Sequence, residues 1–194
     1  MKKIIFTLMV VSIAMQLAAQ CIHQPERYFS KGQSDLQIGI GLVPVDVILD
    51  KATVKTMPHT VELNRMMGDK FSMGLFYSRS VVESQLQPQQ DGVEQQIEKD
   101  FRQTGLKFAF HFNQYKNFDS YGGFSLAFNH QYFKVVEGDE AYLVNHLNFQ
   151  PKRTGIGYSG FVGTRLAIRK NWSAFAELGL GGNSFLTCGI GYRL

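Results

Sequence analysis

The chain has 194 residues, with 20 Lys and Arg against 16 Asp and Glu, a net charge of +4 that shrinks further once Lys2 and Lys3 are set aside. Basic residues so few and so scattered exclude a nucleic-acid-binding surface. Two cysteines, Cys21 and Cys188, exclude a disulfide framework and a CxxC metal site.

Residues 1–19 read as a secretory signal. Lys2 and Lys3 precede an apolar run from Ile4 to Met15, and Leu17-Ala18-Ala19-Gln20 supplies a small-residue cleavage site after Ala19. A lipid-modified cysteine at Cys21 requires a small residue where Gln20 stands, so the expected mature end is Gln20 without acylation. No later stretch approaches the ~20 apolar residues of a membrane helix. About 175 residues remain, one domain's worth.

Residues 20–33 form a short periplasmic stub before the first strand, which starts near Asp35. There Leu36, Ile38, Ile40 and Leu42 alternate with Gln37, Gly39 and Gly41, and a period of two means a strand. The pattern continues toward Leu49, with Pro44 marking a bulge or an early end. Residues 50–58 read as a loop, 59–67 as a weaker strand with Val61 and Leu63 on one face, and Gly68-Asp69-Lys70 as a turn. Phe71, Met73, Leu75 and Tyr77 define the third strand. A Gln-rich polar stretch covers 84–100, and Leu106, Phe108, Phe110 and Phe112 define the fourth strand. Phe124, Leu126, Phe128 and Tyr132 mark the fifth, and a second polar stretch covers 136–153. The last three strands, from Thr154 to Leu194, alternate most regularly. Leu166, Leu178 and Ile190 exemplify one face, and Gly163, Glu177 and Gly189 the other.

Eight such strands, each with one apolar and one polar face, predict an all-β, eight-stranded antiparallel up-and-down transmembrane β-barrel with periplasmic termini over residues 34–194. In hydrocarbon an unpaired backbone group costs several kcal/mol, so the last strand must close on the first. Short turns after strands two, four and six, and longer connections after one, three and five, suit a barrel with its loops outside. Phe71, Phe112, Trp172 and Tyr192 fall at strand ends, where an aromatic girdle meets the membrane interface. A soluble lipocalin-like barrel would turn the same apolar face inward, but glycines and charges cover an exterior poorly.

Parity sends Asp35, Glu62, Lys107, Arg165, Glu177 and Arg193 into the bore. Ionised groups there must be paired. Arg165 and Glu177 come out diagonal on neighbouring strands, and Asp35 and Arg193 meet across the closing seam. This arrangement reads either as an ion path or as a salt-bridge plug, and the narrowness of an eight-stranded interior favours the plug. Phe161, Phe175 and Phe185 also fall on the inward face. Gly155-Ile156-Gly157-Tyr158-Ser159-Gly160 matches the dinucleotide fingerprint, but that motif needs a helix after its glycines and the alternation here continues. His59, His111, His130 and His146 raise the question of acyl transfer; none has a Ser two residues along its strand. No catalytic, cofactor or metal site is expected.

The closing Gly189-Ile190-Gly191-Tyr192-Arg193-Leu194, with Tyr121-Gly122-Gly123 opening strand five and Asn171-Trp172 opening strand seven, resembles the small outer-membrane β-barrel domain proteins of Gram-negative bacteria. These are similar to the eight-stranded barrel of the outer-membrane protein A group. The resemblance implies an outer-membrane location, a closing strand presented to the barrel assembly machinery, contact with outer-membrane lipid, and an extracellular partner met through the loops. A structural or surface-interaction role is expected, with a lipid-modifying enzyme or a narrow channel as alternatives.

Overall fold

The computed structural model describes residues 28–50, 52–86, 95–115, 117–137 and 150–194. The expected signal segment 1–19, Cys21 and His146 lie outside them. Eight strands follow in order: β1 Ser34–Pro44, β2 Thr53–Met66, β3 Phe71–Leu86, β4 Gln95–Gln114, β5 Phe118–Glu137, β6 Lys152–Ala167, β7 Trp172–Leu180 and β8 Ser184–Arg193. One short helix, α1 Val45–Asp50, joins β1 to β2. Each strand pairs antiparallel with the next, and β8 pairs with β1 without interruption from Asp35↔Arg193 to Gly41↔Thr187. Closure leaves no edge, as a hydrocarbon surround demands.

The barrel is inside out relative to a soluble protein. Phe128, Ile156 and Tyr158 are 64, 71 and 84% exposed on the outer wall, whereas Gln37, Asp119 and Arg165 are 1, 0 and 3% exposed within. Apolar area of that size is stable only against lipid, and this distribution excludes the lipocalin-like alternative. Phe71, Phe112, Trp172 and Tyr192 lie at the end where β1 begins and β8 ends. There Trp172 packs edge-on to Tyr192, with ring centroids 5.0 Å apart, and Phe71 meets Phe110 at 5.1 Å. Tyr77 and Tyr132 stand toward the loop end.

Several strands differ in length from the sequence expectation. β1 stops at Pro44, because proline cannot donate to the ladder, and α1 occupies the segment expected as strand. Residues 53–58 belong to β2, and β3 and β4 stay paired from Phe71↔Phe110 up to Leu86↔Gln95. Of the expected loop 84–100, residues 84–86 and 95–100 are therefore paired strand, and β5 likewise runs on to Glu137. These extensions have no regular alternation because beyond the bilayer no lipid enforces an apolar outer face, although Val82 and Ile97 are buried there. The wall is consequently tall over β2–β6 and short over β7, β8 and β1. The β7–β8 connection is a tight turn in which Gly181 has φ +88°. A Cβ there would lie 2.7 Å from the Tyr158 carbonyl oxygen.

One inward assignment also changes. The β1–β8 register shifts between Gly41 and Pro44. Past that shift Ser184 lines the bore in the place that parity gave to Phe185.

Candidate functional site

Glycine, serine and charged residues alternate inward along every strand, so the chemistry of the chain gathers in the bore. At mid-depth Lys107 on β4 reaches across to two walls. Its Nζ lies 2.9 Å from both carboxylate oxygens of Glu62 on β2 and 2.7 Å from both of Glu177 on β7. The ammonium also sits 4.4 Å from the centroid of Phe161. Tyr121 on β5 donates its hydroxyl to Glu177 at 2.8 Å. Asn64 donates to Glu62 at 3.5 Å. Lys107, with three donors, and its two carboxylates thus form a septum, all three buried.

The septum divides two cavities. The one toward the loops, about 90 Å³, is walled by hydroxyls and amides such as Ser78, Ser125, Gln103 and Asn183. Asn183 in the β7–β8 turn donates across the bore to Ser78 at 2.9 Å. The cavity toward the termini is only about 10 Å³ and touches Ser72, His111, Tyr121 and Arg165. Glu62, Lys107 and Glu177 line both.

Below the septum two further groups form. Arg165 Nη1 lies 3.1 Å from Asp35, which also accepts from Gln37 at 2.7 Å. His111 is held between Ser72 and Asp119: Nε2 is 2.9 Å from the Ser72 hydroxyl, and Nδ1 is 2.9 Å from the Asp119 carboxylate. In the neutral tautomer with its hydrogen on Nδ1, the imidazole donates to Asp119 and accepts from Ser72 at Nε2. At the mouth, Tyr28 and Phe29 from the stub fold back and are buried with Met66. Phe29 lies beneath the Arg165 guanidinium at 4.8 Å, and Arg193 stacks on Tyr28 at 5.1 Å.

The six sequence-predicted bore residues all line this interior or its mouth, but two expected pairings change. Arg165 pairs with Asp35, and Glu177 pairs with Lys107. Arg165 and Glu177 are diagonal as the register requires, with Gly163 opposite Glu177. Tyr121, however, stands opposite Gly163 and fills the gap between them. A Cβ on Gly163 would lie 2.8 Å from both Tyr121 and Glu177, so glycine makes room for that hydrogen bond. Asp35 and Arg193 are opposite in register, yet Arg193 donates to the Tyr28 carbonyl at 2.5 Å and to the Lys170 carbonyl. In so narrow a bore, long side chains reach partners across it more readily than along the wall.

Sequence reasoning missed Tyr121, Ser72, Asp119 and Gln37 as members of the network. Parity places them inward, but neutral or turn-proximal residues gave no reason to expect ionic partners. The Gly155–Gly160 fingerprint lies wholly within β6.

No protein-family description matches the chain, and no curated protein is similar in sequence. Solved structures are similar in fold. The outer-membrane protein OprG of Pseudomonas aeruginosa aligns with a TM-score of 0.59 at 15% identity, covering 88% of this chain and 98% of that one. The N-terminal β-barrel domain of Pseudomonas aeruginosa OprF aligns with a TM-score of 0.49 at 13% identity, covering 84% and 98%. Ail, the attachment invasion locus protein of Yersinia pestis, aligns at 0.47 and 14% identity, covering 85% and 100%. The closed eight-stranded fold that it shares with OprG, an apolar exterior and a polar bore together place this chain in an outer membrane.

Proposed function

We propose that this protein acts through its surfaces, as a structural or surface-interaction barrel whose bore is closed by side chains. The observation that carries the reading is the septum. Lys107 is bonded to carboxylates from β2 and β7, which supports a bore blocked at mid-depth. On this reading the stub end faces the periplasm, where both termini stay, and the tall β2–β6 wall projects outside to meet an extracellular partner. The Gly189–Leu194 strand meets the assembly machinery during insertion.

Planar-bilayer recording of the refolded protein tests the closed bore. No large, stable conductance steps are expected, and their presence overturns the plug. Orientation is tested separately by an epitope inserted between Gln90 and Asp91. It is expected to bind antibody on intact cells; labelling only after permeabilisation reverses the two ends.

A second reading, acyl transfer, is favoured by one observation, the Ser72–His111–Asp119 chain. A carboxylate, an imidazole and a hydroxyl linked in that order are the parts of a nucleophilic serine. The hydroxyl opens on the cavity of about 10 Å³, too small for an acyl group while Tyr28 and Phe29 cover the mouth, so the relay serves the plug. Fluorophosphonate labelling of the folded wild type that is absent in Ser72→Ala would replace the structural reading with the enzymatic one.

A further inference from the structure

Around the outer wall, residues on β3–β6 line up in rows, and the chemistry of the rows changes abruptly. Leu75, Leu106, Leu126 and Tyr158 are in register, and the next row toward the loops is Tyr77, Thr104, Phe128 and Ile156. One step further the row is Arg79, Arg102, His130 and Thr154, and beyond it come Asp100, Tyr132 and Lys152. All share the lipid-side parity. A membrane strand needs about 9–11 residues. Counted from Phe71 on β3 that reach ends at residues 79–81, and from Phe112 on β4 at residues 104–102, so Arg79 and Arg102 stand at the loop-side end of the spanning segments, at headgroup height.

Its geometry is convergent. Arg79 and Arg102 face each other directly across the β3–β4 ladder, an unfavourable placement for like charges. They bind one carboxylate, Asp100, at 3.0 and 2.6 Å. Tyr132 lies beside them, with the Arg102 guanidinium 5.1 Å and the Lys152 ammonium 5.5 Å from its ring centroid. Two arginines thus share one carboxylate, with a third cation on the ring beside it. Farther toward the loops the charges balance, since Lys55 bridges Glu83 and Glu98 and Glu98 stands opposite Lys134. The excess therefore sits where β3 and β4 leave the lipid, at Arg79 and Arg102.

Asp100 engages only Nε and Nη2 of each arginine. A guanidinium has five donors in a fork that fits phosphate, and both side chains are about two-fifths exposed. We propose that Arg79, Arg102 and Lys152 form a binding site for the phosphate groups of the phosphorylated glycolipid in the outer leaflet. Asp100 holds the two forks in place, and Tyr132 provides the interfacial platform. The phosphate supplies the second anion that two facing arginines and a lysine call for. This deepens the proposed reading, because it rests on the loop end facing outward, and it makes a lipid one of the partners of that surface.

Native mass spectrometry of the folded barrel from detergent, with added bis-phosphorylated lipid A or its dephosphorylated form, tests the site. Wild type is expected to retain the phosphorylated lipid and to discriminate against the dephosphorylated one. Each cation removed should weaken retention about fivefold, the usual effect of one basic residue at an anionic membrane surface. Arg79→Gln with Arg102→Gln should therefore lose most of the preference, whereas Lys134→Gln, outside the row, should keep it. Should the double variant fail to fold, Lys152→Gln, which removes no ion pair described above, carries the test alone with an expected fivefold loss. Equal retention of both lipids by wild type, or unchanged preference in the variants, overturns the proposal. The epitope experiment reads orientation independently, so an outward loop end with no phosphate preference sinks this inference and leaves the barrel's orientation standing.

Discussion

Arg165 Nη1 lies 3.1 Å from the Asp35 carboxylate although their strands, β6 and β1, are not neighbours in the wall. The ion pair crosses the bore, and so does Lys107 between β2 and β7. Such bonds tie opposite walls together, resisting ovalisation in a way that the backbone ladder alone does not.

This relationship makes Arg165 and Asp35 energetically coupled. Removing one member of a buried pair leaves an uncompensated charge and destabilises by about 3–5 kcal/mol. Arg165→Met and Asp35→Asn are each expected to lose roughly that much in urea unfolding from lipid vesicles, and the double variant less than the sum. Additive losses in the double-mutant cycle would mean the two do not act as partners.

Lys107 holds two carboxylates, so its loss should be worse than the loss of either acid. Lys107→Met leaves Glu62 and Glu177 facing each other without a cation, with an expected destabilisation of about 3–5 kcal/mol. Adding Glu62→Gln and Glu177→Gln should recover much of it, since no buried charge then lacks a partner. Failure of the triple variant to recover any stability would show that packing, and not charge, sets the role of Lys107.

Gly163 should tolerate no added methyl. Its Cβ would sit 2.8 Å from Tyr121 and Glu177, and overpacking a filled interior costs typically about 1–3 kcal/mol. Gly163→Ala is expected to fall in that range, with Tyr121→Leu in the same chain relieving part of the penalty. A stability equal to wild type for Gly163→Ala would mean that the bore is looser than its packing indicates.

Leu178 faces outward, 58% exposed, near the middle of β7. Arginine on the lipid face near the bilayer midplane costs about 2–4 kcal/mol and much less toward the interface. Leu178→Arg should accordingly destabilise the membrane-folded barrel more than Trp172→Arg does through charge at the terminal end. A lipid-soluble thiol probe should label Cys at 178 and miss Cys at 179; the opposite result would invert inside and outside for the whole barrel.

What the sequence determined by itself is the wall. Alternation of period two is a local property, carried by runs such as Leu36–Leu42, Phe108–Phe112 and Trp172–Leu180. The bilayer enforces it one residue at a time, so strand number, closure, and the inward parity of Asp35, Glu62, Lys107, Arg165 and Glu177 could be read along the chain. Where the bilayer stops, that signal stops too, and the β3–β4 hairpin out to Leu86 and Gln95 looked like loop. Tertiary structure alone decided the partners. Register places Arg165 diagonal to Glu177 and Asp35 opposite Arg193, but a bore only side-chain-wide lets Lys107 reach both Glu62 and Glu177 and lets Arg165 reach Asp35. It also brings Ser72, His111 and Asp119 together from three strands. Contacts across a closed ring depend on its curvature and fill, and neither is written in the spacing of residues along any one strand.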